Sequence, residues 1–209
     1  MKDMEKVKKQ VISKKRILTL VFIVFFIGLL FGSIYISVLN NSNKKLIIEN
    51  VENYFNTYKS LDFKYKLDIF KETLTKNLTY FISIWVLGLS IIGIPVIIIM
   101  VFFKSFITGF SISSIFAAYK FKGLVGIFIY MFPSNAITLL YTLFLGAYSV
   151  DLSIKLLRHA LKKKTLNFGL FMGKYFFLLL ISILLSVVVS LYEAFINPSI
   201  INLFTKMIK

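Results

Sequence analysis

Five stretches of this chain, residues 17–39, 80–103, 105–119, 123–150 and 175–196, contain no Asp, Glu, Lys or Arg except Glu193. A helix rises about 1.5 Å per residue, so roughly 20 apolar residues cross a hydrocarbon core of about 30 Å. The blocks are continuous rather than patterned at helical or strand spacing, and a single soluble core cannot bury that many apolar side chains. At 209 residues, with 58% hydrophobic content and a mean hydropathy of +0.83, lipid has to cover the excess. The expected fold class is all-α: a polytopic helical bundle of about five transmembrane helices.

Charge punctuates the blocks. Of 25 Lys and Arg residues, 24 lie outside them or at their edges, and Lys104 divides two of them. The expected organisation is a basic tail 1–16, spans 17–39, 80–103, 105–119, 123–150 and 175–196, an extracytoplasmic segment 40–79, a basic loop 151–174 and a tail 197–209. The third span is short enough to be re-entrant, whereas the fourth should kink at Pro133. Residues 1–16 hold seven basic and two acidic side chains, and 151–174 hold six and one, which places both in the cytoplasm. With five passes the N-terminus is cytoplasmic and the C-terminus extracytoplasmic. The 23 residues of 17–39 suit a retained anchor better than the short apolar core of a signal peptide.

A formal charge of +16 would ordinarily point to nucleic acid. Only Arg16 and Arg158 are arginines, however, and the lysines flank hydrophobic spans. Anionic lipid headgroups account for them at about 1 kcal/mol each, as does the codon bias of an AT-rich genome. No nucleic-acid partner is expected. The chain lacks cysteine, which removes disulfides and Cys-ligated metals. Neither HExxH, GxSxG nor a phosphate-binding loop occurs, and the sole histidine, His159, lies in a cationic stretch. No catalytic residue, cofactor or metal is expected.

Several patterns mark candidate contact residues. In 40–79, Ile47, Val51, Tyr54, Phe55 and Tyr58 form an amphipathic stripe, suited to the membrane surface or to a partner. Small residues recur every fourth position at Ser105, Gly109, Ser113 and Ala117, and at Ser182, Ser186, Ser190 and Ala194, with Gly28 and Gly32 in the first span. Such stripes let helices approach closely, either within the chain or against a partner or second copy. Asn135, beside Pro133, needs a hydrogen-bond partner in an apolar setting. Glu193 is either a hydrogen-bonded brace or a partner contact. A small transporter using the kinked helix and Glu193 is the alternative reading.

The segment running Trp85-Val86-Leu87-Gly88-Leu89-Ser90-Ile91-Ile92-Gly93-Ile94-Pro95, continuing to Lys104 and then Gly109-Phe110, resembles the stage II sporulation protein M family. Pro133-Ser134-Asn135 and the closing Glu193-Ala194-Phe195-Ile196-Asn197-Pro198 are similar to further motifs of that family. The resemblance implies a five-span membrane protein without its own activity. It also implies action in the mother-cell membrane during forespore engulfment, in a complex with the wall hydrolases called stage II sporulation proteins D and P.

Overall fold

The computed structural model describes residues 2–57, 62–162 and 168–208, so Tyr58 and part of the basic loop fall outside it. Every element among them is helical: α1 (Lys2–Val38), α2 (Asn41–Thr57), α3 (Phe63–Gly88), α4 (Gly93–Gly126), α5 (Phe132–Lys162), α6 (Phe168–Leu191) and α7 (Asn197–Ile208). Two π-helical turns, Ile127–Met131 and Tyr192–Ile196, join α4 to α5 and α6 to α7. This is the all-α polytopic bundle that the apolar blocks dictate.

Among the described residues, four helical stretches are long and apolar enough to cross a membrane: Lys15–Val38, Gly93–Ile129, Phe132–Leu161 and Met172–Phe204. The expected boundaries at 103 and 105 are wrong. The turn lies at residues 89–92, where Leu89 N donates to Val86 O (3.0 Å), Ser90 N to Leu87 O (3.0 Å) and Gly93 N to Ser90 O (3.2 Å). A Cβ on Gly93 would run into the Leu87 carbonyl, so the sharp turn requires glycine there. Pro95 sits in the first turn of α4, where its missing N–H costs nothing. Lys104, expected to divide two spans, lies mid-helix with its ammonium over the Tyr80 ring, 5.3 Å from the centroid. A lysine stem can follow an apolar face while its head finds a ring, so one cation does not end a helix.

The real second break is Lys120, at φ 50 and ψ −132, a kink that divides α4. That left-handed conformation is strained for any residue with a Cβ. Expected span 80–103 therefore splits between α3 and α4, and 105–119 is the second half of one longer helix. α3 packs against α4, α5 and α6 but begins within 40–79, and its first fourteen residues carry Lys64, Lys66, Asp68, Lys71, Glu72 and Lys76. That charge is why α3 does not make a fifth apolar stretch. The basic loop is also mostly helix, since α5 runs to Lys162 and α6 starts at Phe168.

α1 and α4 lie parallel in the most extensive of the helix pairings. A Cβ on Gly28 would meet Phe102 O and Ser105 Oγ, one on Gly32 would meet Phe106 O, and one on Gly109 would meet Leu29 O. Ser33 and Ser113 add hydrogen bonds across the crossing, Ser113 Oγ donating to Ser33 O at 2.8 Å. The small residues of α1 and α4 thus serve packing within the chain. α5 is the central rod: 67% of its most apolar window is buried, against 17% for α1.

The core is in two parts. The larger gathers Val21, Phe81, Ile84, Ile97, Val101, Leu145 and Tyr175, and the smaller gathers Phe55, Ile115, Ile127, Met131, Ile201 and Phe204. Phe22, Phe31, Phe103, Leu140, Phe177 and Leu184 remain on the exterior, the apolar coat that lipid requires.

Candidate functional site

At the end of the bundle near the 89–92 turn, the Trp85 ring stacks on Tyr175, with centroids 5.2 Å apart and planes 15° from parallel. Trp85 Nε1 donates to Tyr175 O (2.9 Å), and the Tyr175 hydroxyl donates to Trp85 O (2.7 Å) while sharing a hydrogen bond with Ser149 Oγ (2.9 Å). Ser153 Oγ donates to Gly88 O (3.0 Å), and a Cβ on Gly88 would collide with Tyr175 and Ser149. Trp85, Gly88 and Gly93 therefore belong to a packed joint between α3, α4, α5 and α6, and Pro95 lies exposed at its edge.

Ser182, Ser186 and Ser190 are fully buried, and each donates to the carbonyl four residues back, at 2.9, 2.7 and 2.7 Å. Ser182 also pairs with the Tyr141 hydroxyl at 2.9 Å. Of the two uses such a stripe allows, these serines show the one within the chain, packed against its own helices.

A different arrangement occupies the other end, where both π-turns lie. Phe132 N donates to Ile127 O and Asn197 N to Tyr192 O, each reaching five residues back, and each donor immediately precedes a proline. Pro133 and Pro198 have no N–H and crowd the carbonyl four residues back, which favours inserting one extra residue into the turn. The kink expected at Pro133 is this first π-turn. Asn135 Nδ2 donates to Met131 O (3.0 Å), which gives the amide the partner it needs. In the second turn, Glu193 accepts from Thr73 Oγ1 (3.3 Å) and lies within hydrogen-bonding reach of Ser134.

Between the two turns lies a cavity of about 460 Å³. α2 covers it with Ile47, Asn50, Val51, Tyr54 and Phe55. α4 contributes Phe110, Ser111, Ser114 and Ile115, and the π-turn regions contribute Met131, Ser134, Asn135, Glu193 and Asn197. Phe55 is buried and fixes α2 in place, its ring meeting Tyr119 edge-on at 5.3 Å and Phe204 at 5.5 Å. The stripe of α2, expected at the membrane surface or on a partner, thus docks on α4 and α7. A pocket of this volume, with apolar walls and a few converging polar groups, has the make-up of a ligand site.

Four of the candidates, Tyr54, Phe55, Asn135 and Glu193, come together here, and Pro133 and Pro198 shape the turns that hold them. Gly109 belongs to the α1–α4 crossing instead. Sequence reasoning missed Met131, Ser111, Ser114 and Asn197. Asn197 carried a signal: it precedes a proline four residues after Glu193, so both polar groups attach to one irregular turn.

Antiparallel and parallel apolar helices meeting at two broken turns define a multi-pass helical membrane protein. The family model of stage II sporulation protein M matches residues 21–198, and the chain belongs to that family, which makes it a sporulation-related membrane protein. No curated protein and no solved structure matches it.

Proposed function

We propose that this chain is a non-catalytic scaffold of the forespore engulfment machinery, lying in the mother-cell septal membrane. In this reading α3 crosses the membrane together with the four apolar stretches, which leaves the N-terminus cytoplasmic and the C-terminus extracytoplasmic. It recruits and positions peptidoglycan hydrolases, the stage II sporulation proteins D and P, on the α2 side of the bundle. The observation that carries the reading is family membership across residues 21–198. The cavity under α2 supports it by joining an amphipathic extramembrane helix to polar groups of the apolar helices. Co-purification from sporulating membranes is the test. Recovery of both hydrolases with the full chain is expected, and recovery of neither from membranes that retain other complexes would overturn the reading.

A second reading, a small transporter, draws on the same cavity, because two interrupted helices present Asn135 and Glu193 to it. Solute flux into proteoliposomes that disappears with Asn135→Leu would favour it over the scaffold.

A further inference from the structure

The polar lining of the α2 cavity sets acceptors on Asn135, Glu193 and Asn197 beside the Asn50 amide and the hydroxyls of Tyr54, Ser111, Ser114 and Ser134. Glu193 brings a carboxylate, and the ion pairs within 4 Å among the described residues, Lys76–Glu72 and Lys155–Asp151, do not include it. Asn197 is 6% exposed and lines the cavity, and its Oδ1 is buried without a hydrogen-bond partner. An orphaned buried acceptor is rare in folded proteins and calls for a donor. Asn135 directs Nδ2 to Met131 O, leaving its Oδ1 as a further acceptor. No lysine or arginine is among the residues that line the cavity. The nearby ammonium groups, Lys104 over the Tyr80 ring and Lys76 on Glu72, reach Glu193 through their charge alone and make no ion pair with it within 4 Å.

We propose that this cavity receives a lysine side chain of a partner polypeptide, its ammonium held by Glu193 and Asn197 and its four-carbon stem lying along Ile47, Val51 and Phe110. The inference rests on the scaffold reading and names what that scaffold grips. An ammonium offers three donors around a point charge and matches separate acceptors, whereas a guanidinium wants a planar, two-oxygen partner. An ethanolamine headgroup would bring a phosphate beside its ammonium, and the lining has no cation to receive it. The burial of the unpartnered Asn197 Oδ1 beside the half-buried Glu193 carboxylate makes the pairing selective, because an apolar side chain satisfies neither.

The test uses the full chain in phosphatidylglycerol discs, with Nα-acetyl-lysine amide as the probe and Nα-acetyl-norleucine amide, which has the same stem without the charge, as its control. The lysine derivative is expected to raise the unfolding midpoint with increasing concentration, as any ligand selective for the native state does. The norleucine derivative is expected to leave the midpoint unchanged. Glu193→Gln should weaken the response about tenfold or more. Asn197→Ala should weaken it less and serves as the second variant if Glu193→Gln does not fold. Equal responses to both derivatives, a response indifferent to both substitutions, or one that appears only when phosphatidylethanolamine is added would each overturn the proposal.

Co-purification separates this failure from that of the scaffold reading. Hydrolases retained by the wild-type chain and lost with either variant support the lysine site. Equal retention by wild type and variants overturns the site and leaves the scaffold standing, while no retention even by wild type overturns both.

Discussion

At the end of the bundle where α3 turns into α4, Trp85, Tyr175, Ser149 and Gly88 interlock, and each polar group in that joint has a partner. At the end where α2 lies, the helices are interrupted by π-turns, a cavity of about 460 Å³ opens between them, and Asn197 Oδ1 has no partner. α4 and α5 reach both ends, so much of the contrast comes from local sequence: small residues at close contacts in one, Pro133 and Pro198 in the other. Complete satisfaction and dense packing stabilise a joint, while unmet polar groups beside empty volume are features of sites.

The comparison breaks or sharpens under substitution. Phe55→Ala removes the ring that fixes α2 and is expected to have the largest effect, about 3 kcal/mol on α2 docking. Amide exchange should show lost protection across residues 41–57 while the emission of Trp85, the single tryptophan, stays put. If the emission moves equally, the two ends are one cooperative unit. Gly88→Leu drives a side chain into Tyr175 and Ser149 and should cost about 2 kcal/mol. It should shift the Trp85 emission and leave α2 protected, the reverse of the first result.

Tyr175→Phe deletes the hydroxyl shared by Trp85 O and Ser149 and should lower stability by about 1 kcal/mol in denaturant titration followed at Trp85. Glu72→Gln should change neither end. Lys76 holds the Glu72 carboxyl below its usual range. A lowered value stabilises above the unfolded pKa and is lost as pH falls through the folded one. Here both side chains are largely exposed, at 65% and 72%, so solvent screens the pair. An acid-dependent melt that Glu72→Gln abolishes would show the pair to matter after all.

Much of this was legible in the residues. The apolar blocks declared the helices, Pro133 declared a break, and the spacing of Gly28, Gly32 and Gly109 declared a close crossing. The helix boundaries were less legible, because the 89–92 turn consists of Leu89, Ser90, Ile91 and Ile92, which carry no charge. Charge placement located a false division at Lys104 and passed over the true one.

Sequence by itself determined that the chain is a helical membrane bundle, because uncharged runs of that length have no other way to satisfy their backbone away from water. Tertiary structure alone decided which small residues face inward, where α3 ends, and that Asn135, Glu193 and Asn197 share one cavity. Those outcomes depend on how helices rotate about their axes. A π-turn changes that rotation by a single residue, and the prolines that mark the two turns do not specify which side chains then face the cavity.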